Sequence, residues 1–268
     1  MKDIVVNRQK IGWGRKLKLG LLVLRENGLL WTLYLGIYYT GSSLAEAAFR
    51  RMHDRARKLK LPGTSSAALN REIWNNWDWQ AHGDEWTLSA EWKDSLVRQI
   101  LRKNIPAGKN ILEIGPGAGR WTEFLQPMSA SLIGVDISQK CVDLCREKFR
   151  SAGNAKFLTT QGNNLAGVED QSVDAIWSFD VFVHIDERDV AGYVRDFRRV
   201  LRPGGVGVVH HGKGPVHGGW RINLTAGKFK ELLQAQGLTV MEQFETWEDS
   251  GKTFPVGRYE DVVTLFRH

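Results

Sequence analysis

Residues 111–121, Ile-Leu-Glu-Ile-Gly-Pro-Gly-Ala-Gly-Arg-Trp, constrain the fold more than any other stretch. Ile111 to Ile114 read as a short buried strand, Gly115, Gly117 and Gly119 break it, and Arg120 to Leu125 resume with helical spacing. A strand that feeds a glycine-rich turn and then a helix forms a ligand cradle. Glycine reaches φ > 0 and lets the backbone approach a ligand, and the helix start presents unpaired N–H groups. A dinucleotide fingerprint would place a third glycine where Arg120 stands, a position that needs close helix–strand packing. An acid, Glu113, instead sits near the end of the strand.

The order downstream repeats strand and helix. Leu132 to Asp136 is a second buried strand whose acid lies seventeen residues beyond Gly119, and Ser138–Arg150 is a helix. Ala155 to Thr160 is a third strand, followed by Gln161-Gly162-Asn163-Asn164-Leu165; Val173 to Phe179 is a fourth. Asp186 caps a helix carrying Val190, Tyr193, Val194, Phe197 and Leu201, and Arg202-Pro203-Gly204-Gly205 turns it into the strand Val206–Val209. Thr225–Gln236 is a further helix, and Leu238–Glu245 with Val262–Phe266 are the last two strands, paired as a hairpin.

Glu113-x-Gly115-x-Gly117-x-Gly119, Asp136, the segment Phe179–Ile185 and Arg199-Val-Leu-Arg-Pro-Gly-Gly205 together resemble the class I S-adenosylmethionine (SAM)-dependent methyltransferases, among them the small-molecule and sugar O-methyltransferases. The resemblance covers about residues 85–268. It implies an α/β, doubly wound, Rossmann-like sheet of seven mostly parallel strands, here with an N-terminal helical extension. It also implies SAM, released as S-adenosylhomocysteine, held by Glu113, Gly115, Pro116, Gly117, Gly119, Trp121, Asp136, Ile137, Gln161, Gly162, Asn163 and Asp180. Asp136 is the expected acceptor for both ribose hydroxyls. The family often has an acid after the third strand against the adenine amino group. This chain offers the amides of Gln161 or Asn163 there, whose oxygens can accept the same hydrogen bond.

Charge is unevenly placed. Residues 1–60 carry 13 Lys/Arg against 4 Asp/Glu, whereas the other 208 carry 24 against 26. A near-neutral body argues against a nucleic-acid substrate, which calls for a basic stripe. Cys141 and Cys145 lie four apart on a helix, neither a Cys-x-x-Cys pair nor a disulfide framework, which fits a reduced, cytoplasmic setting and ordinary packing roles. Residues 1–65 read as a basic, apolar helical arm and 66–268 as the SAM-binding domain. Within 15–40 neither apolar run reaches the ~20 residues of a bilayer span, and Arg25-Glu26-Asn27-Gly28 separates the runs. Basic flanks with Trp31, Tyr34, Tyr38 and Tyr39 suit an interfacial helix and peripheral membrane contact; packing on its own domain or in a homo-oligomer is the alternative. Ser43-x-x-Glu46 reads as a capping box opening a second helix, stopped by Leu61-Pro62-Gly63, and Thr64-Ser-Ser-Ala-Ala as a linker.

Five tryptophans fall between Trp74 and Trp92. Trp92, Leu96 and Ile100 repeat at helical spacing, so Trp92 reads as a core anchor; about residues 70–92 read as a lid, with Trp77 and Trp79 facing the acceptor. His184 follows the fourth strand and is the leading candidate base, with Asp180 to orient it. His210 and His211 end the fifth strand on opposite faces, so at most one points into the pocket. His217, Trp220 and Arg221, in a glycine-rich loop, read as an acceptor flap. The spacing of His184, His210, His211 and Asp180 is no recognised metal motif, so a divalent ion is not favoured. These readings point to SAM-dependent methylation of a hydroxyl on a small polar acceptor such as a saccharide or glycan end. N-, C- or carboxyl-methylation of another small molecule or lipid, and SAM binding without turnover, remain the alternatives.

Overall fold

Residues 13–59, 61, 63–214 and 224–268 are described in the computed structural model, and they divide into two compact units at Leu61/Pro62. The first unit is one long helix, α1 (Trp13–Leu59), with a single break at Gly28, φ 80° and ψ 170°. The glycine belongs to the charged stretch 25–28 that separates the two apolar runs. Ser43 opens no second helix, because the chain is already helical when it arrives and the capping box has no free end to satisfy.

The second unit is built on a sheet in the order β3-β2-β1-β4-β5-β9-β6. Its strands are β1 (Asn110–Ile114), β2 (Ser131–Asp136), β3 (Ala155–Thr159), β4 (Val173–Ser178), β5 (Leu201–Gly212), β6 (Thr239–Phe244) and β9 (Asp261–Arg267). The first five pair in parallel, and β9 runs antiparallel to both β5 and β6. A short hairpin, β7 (Thr246–Asp249) and β8 (Lys252–Pro255), is inserted before β9. The two final strands are therefore neighbours without being a tight hairpin.

Helices α2 (Ala67–Asn76), α3 (Ala90–Leu96), α4 (Thr122–Leu125), α5 (Gln139–Lys148), α6 (Glu187–Val200) and α7 (Ala226–Ala235) complete the unit. Side-chain alternation along the strands feeds two cores. Leu112, Ile114, Ile176 and Val209 enter one with Phe182, Phe197 and Phe229; Ile111, Ala175, Trp177 and Val208 enter the other with Trp92, Trp121 and Trp247. Each large side chain so buried contributes roughly 1.5–3 kcal/mol of transfer free energy. Trp92 is the anchor its spacing predicts: it is buried, and its Nε1–H donates to the Pro255 carbonyl at 2.7 Å.

Thr64–Ala68 is more than a linker. Ser66 caps α2 by accepting from the Leu69 N–H, and Thr64, Ser65 and Ala67 line the cavity described next. Asn75 on α2 accepts from the Ser138 hydroxyl at 2.7 Å, so α2 is held against the start of α5 at the C-terminal edge of β2.

Candidate active site

A cavity of about 720 Å³ opens at the C-terminal ends of β1, β2 and β4, where ligands of open α/β sheets bind. Its floor is the glycine turn. Gly115 adopts φ 72°, and a Cβ there would lie 2.3 Å from Val181 Cγ2; Gly117 adopts φ 57°, and a Cβ would lie 2.9 Å from the Trp79 ring. Only glycine meets both conditions at these positions. Pro116, Trp121, Ile137 and Gly162 also line the cavity.

Asp136 lies at the cavity wall and is 6% exposed. Its Oδ2 accepts from the Gly117 N–H at 3.1 Å and its Oδ1 from the Ser138 N–H at 2.9 Å, tying the glycine turn to the start of α5. Burial raises its pKa to about 6 in spite of these donors, which pull it down. Each carboxylate oxygen retains acceptor capacity for a ligand. Glu113, by contrast, stands behind the turn rather than among the lining residues. It is fully buried, its Oε2 accepts from the Thr122 hydroxyl at 2.6 Å, its Oε1 has no partner, and burial raises its pKa to about 8. Gly119 likewise does not line the cavity, and Gln161 and Asn163 are exposed beside it. The backbone of the third-strand loop is at the wall through Thr160 and Gly162, together with Asp189 and Tyr193 of α6.

Asp180 is the most constrained residue of the site. It lines the cavity with φ 63°, a left-handed conformation that costs a non-glycine residue on the order of 1–3 kcal/mol. Its Oδ2 accepts from Arg120 Nη1 at 2.8 Å, and its own N–H donates to His210 Nδ1 at 2.9 Å. Burial pushes the carboxyl up, but His210 and Arg120 outweigh it and hold the pKa at about 2. An acid this strong is ionised at neutral pH and is no base. It does not bond to His184 either, so the expected orienting pair is replaced by Arg120–Asp180–His210.

Neither His210 nor His211 lines the cavity. His210 is fully buried, stacked on Phe179 at 4.3 Å, with Nε2 3.4 Å from Asp261 Oδ2. With the ring neutral, Nδ1 accepts the Asp180 N–H and Nε2 carries the proton; with the ring protonated, Nδ1 would turn to Asp180 Oδ1, 3.3 Å away. Burial opposes that charge, and Asp180 and Asp261 outweigh it, so the pKa lies above the ordinary value. His211 lies on the other face against Phe229, with ring nitrogens at 2.8 Å from the Gly212 carbonyl and 2.6 Å from the Thr264 hydroxyl; burial lowers its pKa to about 4. Alternation does put the two rings on opposite faces, but β5 is covered on both. The expectation that one of them is a pocket base is therefore corrected.

His184 does line the cavity. Its ring meets Trp74 edge-on at 5.3 Å, and its carbonyl accepts from Asn70 Nδ2 at 2.8 Å. Trp74, Trp77, Trp79 and Trp86 form one cluster there, with Trp77 stacked on Trp86 at 5.5 Å. Trp77 donates to Glu85 Oε1 at 2.8 Å and Trp79 to the Trp74 carbonyl at 3.0 Å, so their indole N–H groups are satisfied within the lid. His217, Trp220 and Arg221 lie outside the described residues. Cys141 and Cys145 are buried, and burial raises both thiols. Among the described residues no group of three His, Cys, Asp or Glu side chains is placed to hold a metal ion.

Several lining residues give no signal in the sequence. Arg120 looks there only like an obstacle to a third glycine, yet it is 5% exposed, packed over Trp121 at 4.4 Å and bonded to Asp180 and Thr87. Asn70, Arg258 and Tyr259 come from distant parts of the chain.

The fold and site define a nucleotide-type cofactor domain, and comparison specifies which. Residues 111–205 match the family model described as a methyltransferase domain. The demethylmenaquinone methyltransferase of Tropheryma whipplei (strain Twist) is 29% identical over 116 residues, which is 43% of this chain and 46% of that protein. A solved SAM-dependent methyltransferase from Aquifex aeolicus superposes with TM-score 0.51 at 18% identity, covering 66% of this chain and 96% of that one. The solved [4+2]-cyclase SpnF superposes equally, with TM-score 0.51 at 18% identity over 72% of this chain and 83% of its own. At these identities the structures establish the fold alone, and the cyclase makes plain that this fold does not by itself dictate one reaction. Residues 111–205 are thus similar to a methyltransferase domain, and the seven-stranded sheet has the Rossmann-like fold of the solved SAM-dependent methyltransferase. The chain spans about half the length of the curated relative it matches, and a specific likeness to sugar O-methyltransferases has no support in these comparisons.

Proposed function

We propose that the protein transfers a methyl group from SAM to a hydroxyl of a small cyclic acceptor, with His184 as the base. One observation carries the reading: the glycine turn, Asp136, His184 and four indoles converge on one cavity. The residues fit SAM. The turn leaves no room for a Cβ at Gly115 or Gly117, Asp136 offers acceptor oxygens suited to a vicinal diol, and about 720 Å³ lies within the roughly 300–1,000 Å³ of small-molecule sites. Bound SAM supplies an electrophilic methyl group on a sulfonium.

The remaining work falls to the chain. Asp136 and the turn hold the donor, Trp79 lies over Gly117 of that turn, and the indoles of Trp74, Trp77 and Trp86 exclude water and offer flat faces to the acceptor ring. Alignment of this kind lowers a bimolecular barrier by roughly 7–11 kcal/mol at best. His184, when neutral, takes the hydroxyl proton as the oxygen attacks. Asp180, kept anionic by His210 and Arg120, is held fixed at the cavity wall by its ion pair with Arg120.

Two acceptor classes use indole faces. A saccharide would draw on the polar rim of Asn70, Glu85 and Arg258; a flat aromatic or quinol ring would draw on the apolar lining, and the name of the Tropheryma whipplei relative favours it. Calorimetry with SAM, S-adenosylhomocysteine and NAD tests the donor, and labelled methyl transfer to a panel of saccharides and hydroquinones tests the acceptor. Tighter binding of NAD than of SAM, or SAM binding with no transfer to either panel, would overturn the respective half of the proposal.

A further inference from the structure

The first unit leaves a surface that the SAM site does not use. In α1 the heptad steps from Ile37 to Leu44, Arg51 and Lys58 keep one side of the helix, and Leu33 and Arg55 fall on the same side. Leu33, Ile37 and Leu44 are 55%, 57% and 72% exposed, and Arg51, Arg55 and Lys58 are exposed as well. The result is a ridge roughly 38 Å long at 1.5 Å per residue, apolar in its first half and basic in its second. Tyr34, 62% exposed, flanks the apolar half, while Trp31 and Tyr38, 49% and 56% exposed, stand on the far side of the helix. Isolated exposed leucines need no explanation, but a continuous apolar stripe of this size marks an interaction surface.

The charge selects the occupant. With 13 Lys/Arg against 4 Asp/Glu in residues 1–60, two such arms repel, which disfavours a second copy, while an anionic surface attracts them. Among the described residues no helix is long and apolar enough to cross a membrane. An apolar stripe that runs into the basic half of the ridge, with the phenol of Tyr34 at its flank, matches a helix lying in the interface. We infer that α1 docks the protein on the surface of an anionic phospholipid bilayer, Leu33, Ile37 and Leu44 entering the acyl boundary and Arg51, Arg55 and Lys58 resting on the headgroups.

The test is flotation of the full chain with phosphatidylcholine vesicles that contain or lack phosphatidylglycerol. Flotation is expected only with the anionic lipid and should weaken at high salt. Leu33→Ser/Ile37→Ser/Leu44→Ser should weaken binding at least tenfold. Arg51→Gln/Arg55→Gln/Lys58→Gln should weaken it by up to about fivefold per charge and flatten the salt dependence. Neither set touches a buried side chain, so the thermal melt of the globular unit should not move and reports that the variants fold. Absence of flotation with anionic vesicles, flotation indifferent to phosphatidylglycerol, or wild-type flotation of the serine variant would each overturn the inference. So would a dimer that the serine variant dissociates in a protein that binds no vesicle.

Discussion

Asp136→Asn tests the proposal that donor binding turns on this carboxylate. The wild-type carboxylate already accepts two backbone N–H bonds, from Gly117 and Ser138, and titrates near 6 because it is buried. Two pH effects of opposite sign follow. The folded pKa lies above the unfolded value of ~3.9, so this group's contribution to stability is complete below about pH 4 and is lost as pH rises through about 6. A diol donates to the ionised form, so affinity for SAM should rise as pH climbs through about 6 and level off above it. Asparagine keeps one acceptor oxygen but turns an NH₂ toward the Gly117 or Ser138 N–H. Loss of a charged hydrogen bond at about 1.5–3 kcal/mol corresponds to a SAM Kd weaker on the order of 10–100-fold at about pH 8. Titration calorimetry from about pH 5 to about pH 8 reads both quantities, with the variant showing no inflection near 6. Wild-type affinity that stays flat across that range, or a variant that binds as tightly as the wild type, would refute the assignment.

Glu113→Gln mimics the protonated acid and keeps an acceptor for the Thr122 hydroxyl. The folded pKa of about 8 means wild-type stability is full below about pH 4.5 and declines as pH rises through 8, so the variant should match the wild type near pH 5 and exceed it by up to about 5 kcal/mol above pH 8 in denaturant melts. His184→Ala should lower labelled-methyl turnover by roughly 10²–10⁴ while calorimetric SAM affinity holds, and an unchanged rate removes His184 as the base. Gly115→Ala forces a Cβ to 2.3 Å from Val181 at φ 72°, which should cost about 2–4 kcal/mol in chemical denaturation. Adding Val181→Ala should return part of that loss by relieving the clash, the φ strain remaining.

The sequence by itself determined the glycine turn and its surrounding strands. Glycine spacing, an acid closing a strand and period-two apolar runs are local rules, and local rules place β1, its turn, β2 and Asp136 in one edge of a parallel sheet. They also place Trp92 in the core. The tertiary structure decided which polar groups face the cavity. His210 and His211 look alike in sequence to a pocket base, and both are removed because Phe179 covers one face of β5 and Phe229 the other. Arg120, which reads as a mismatch to a glycine pattern, becomes the partner that holds Asp180 ionised across sixty positions of chain. Asn70 and Trp74 reach the site on α2, which Asn75 ties to Ser138 and Asn70 to the His184 carbonyl. Periodicity reports which face a residue takes, whereas the use of that face depends on what packs against it, and those neighbours are distant in sequence.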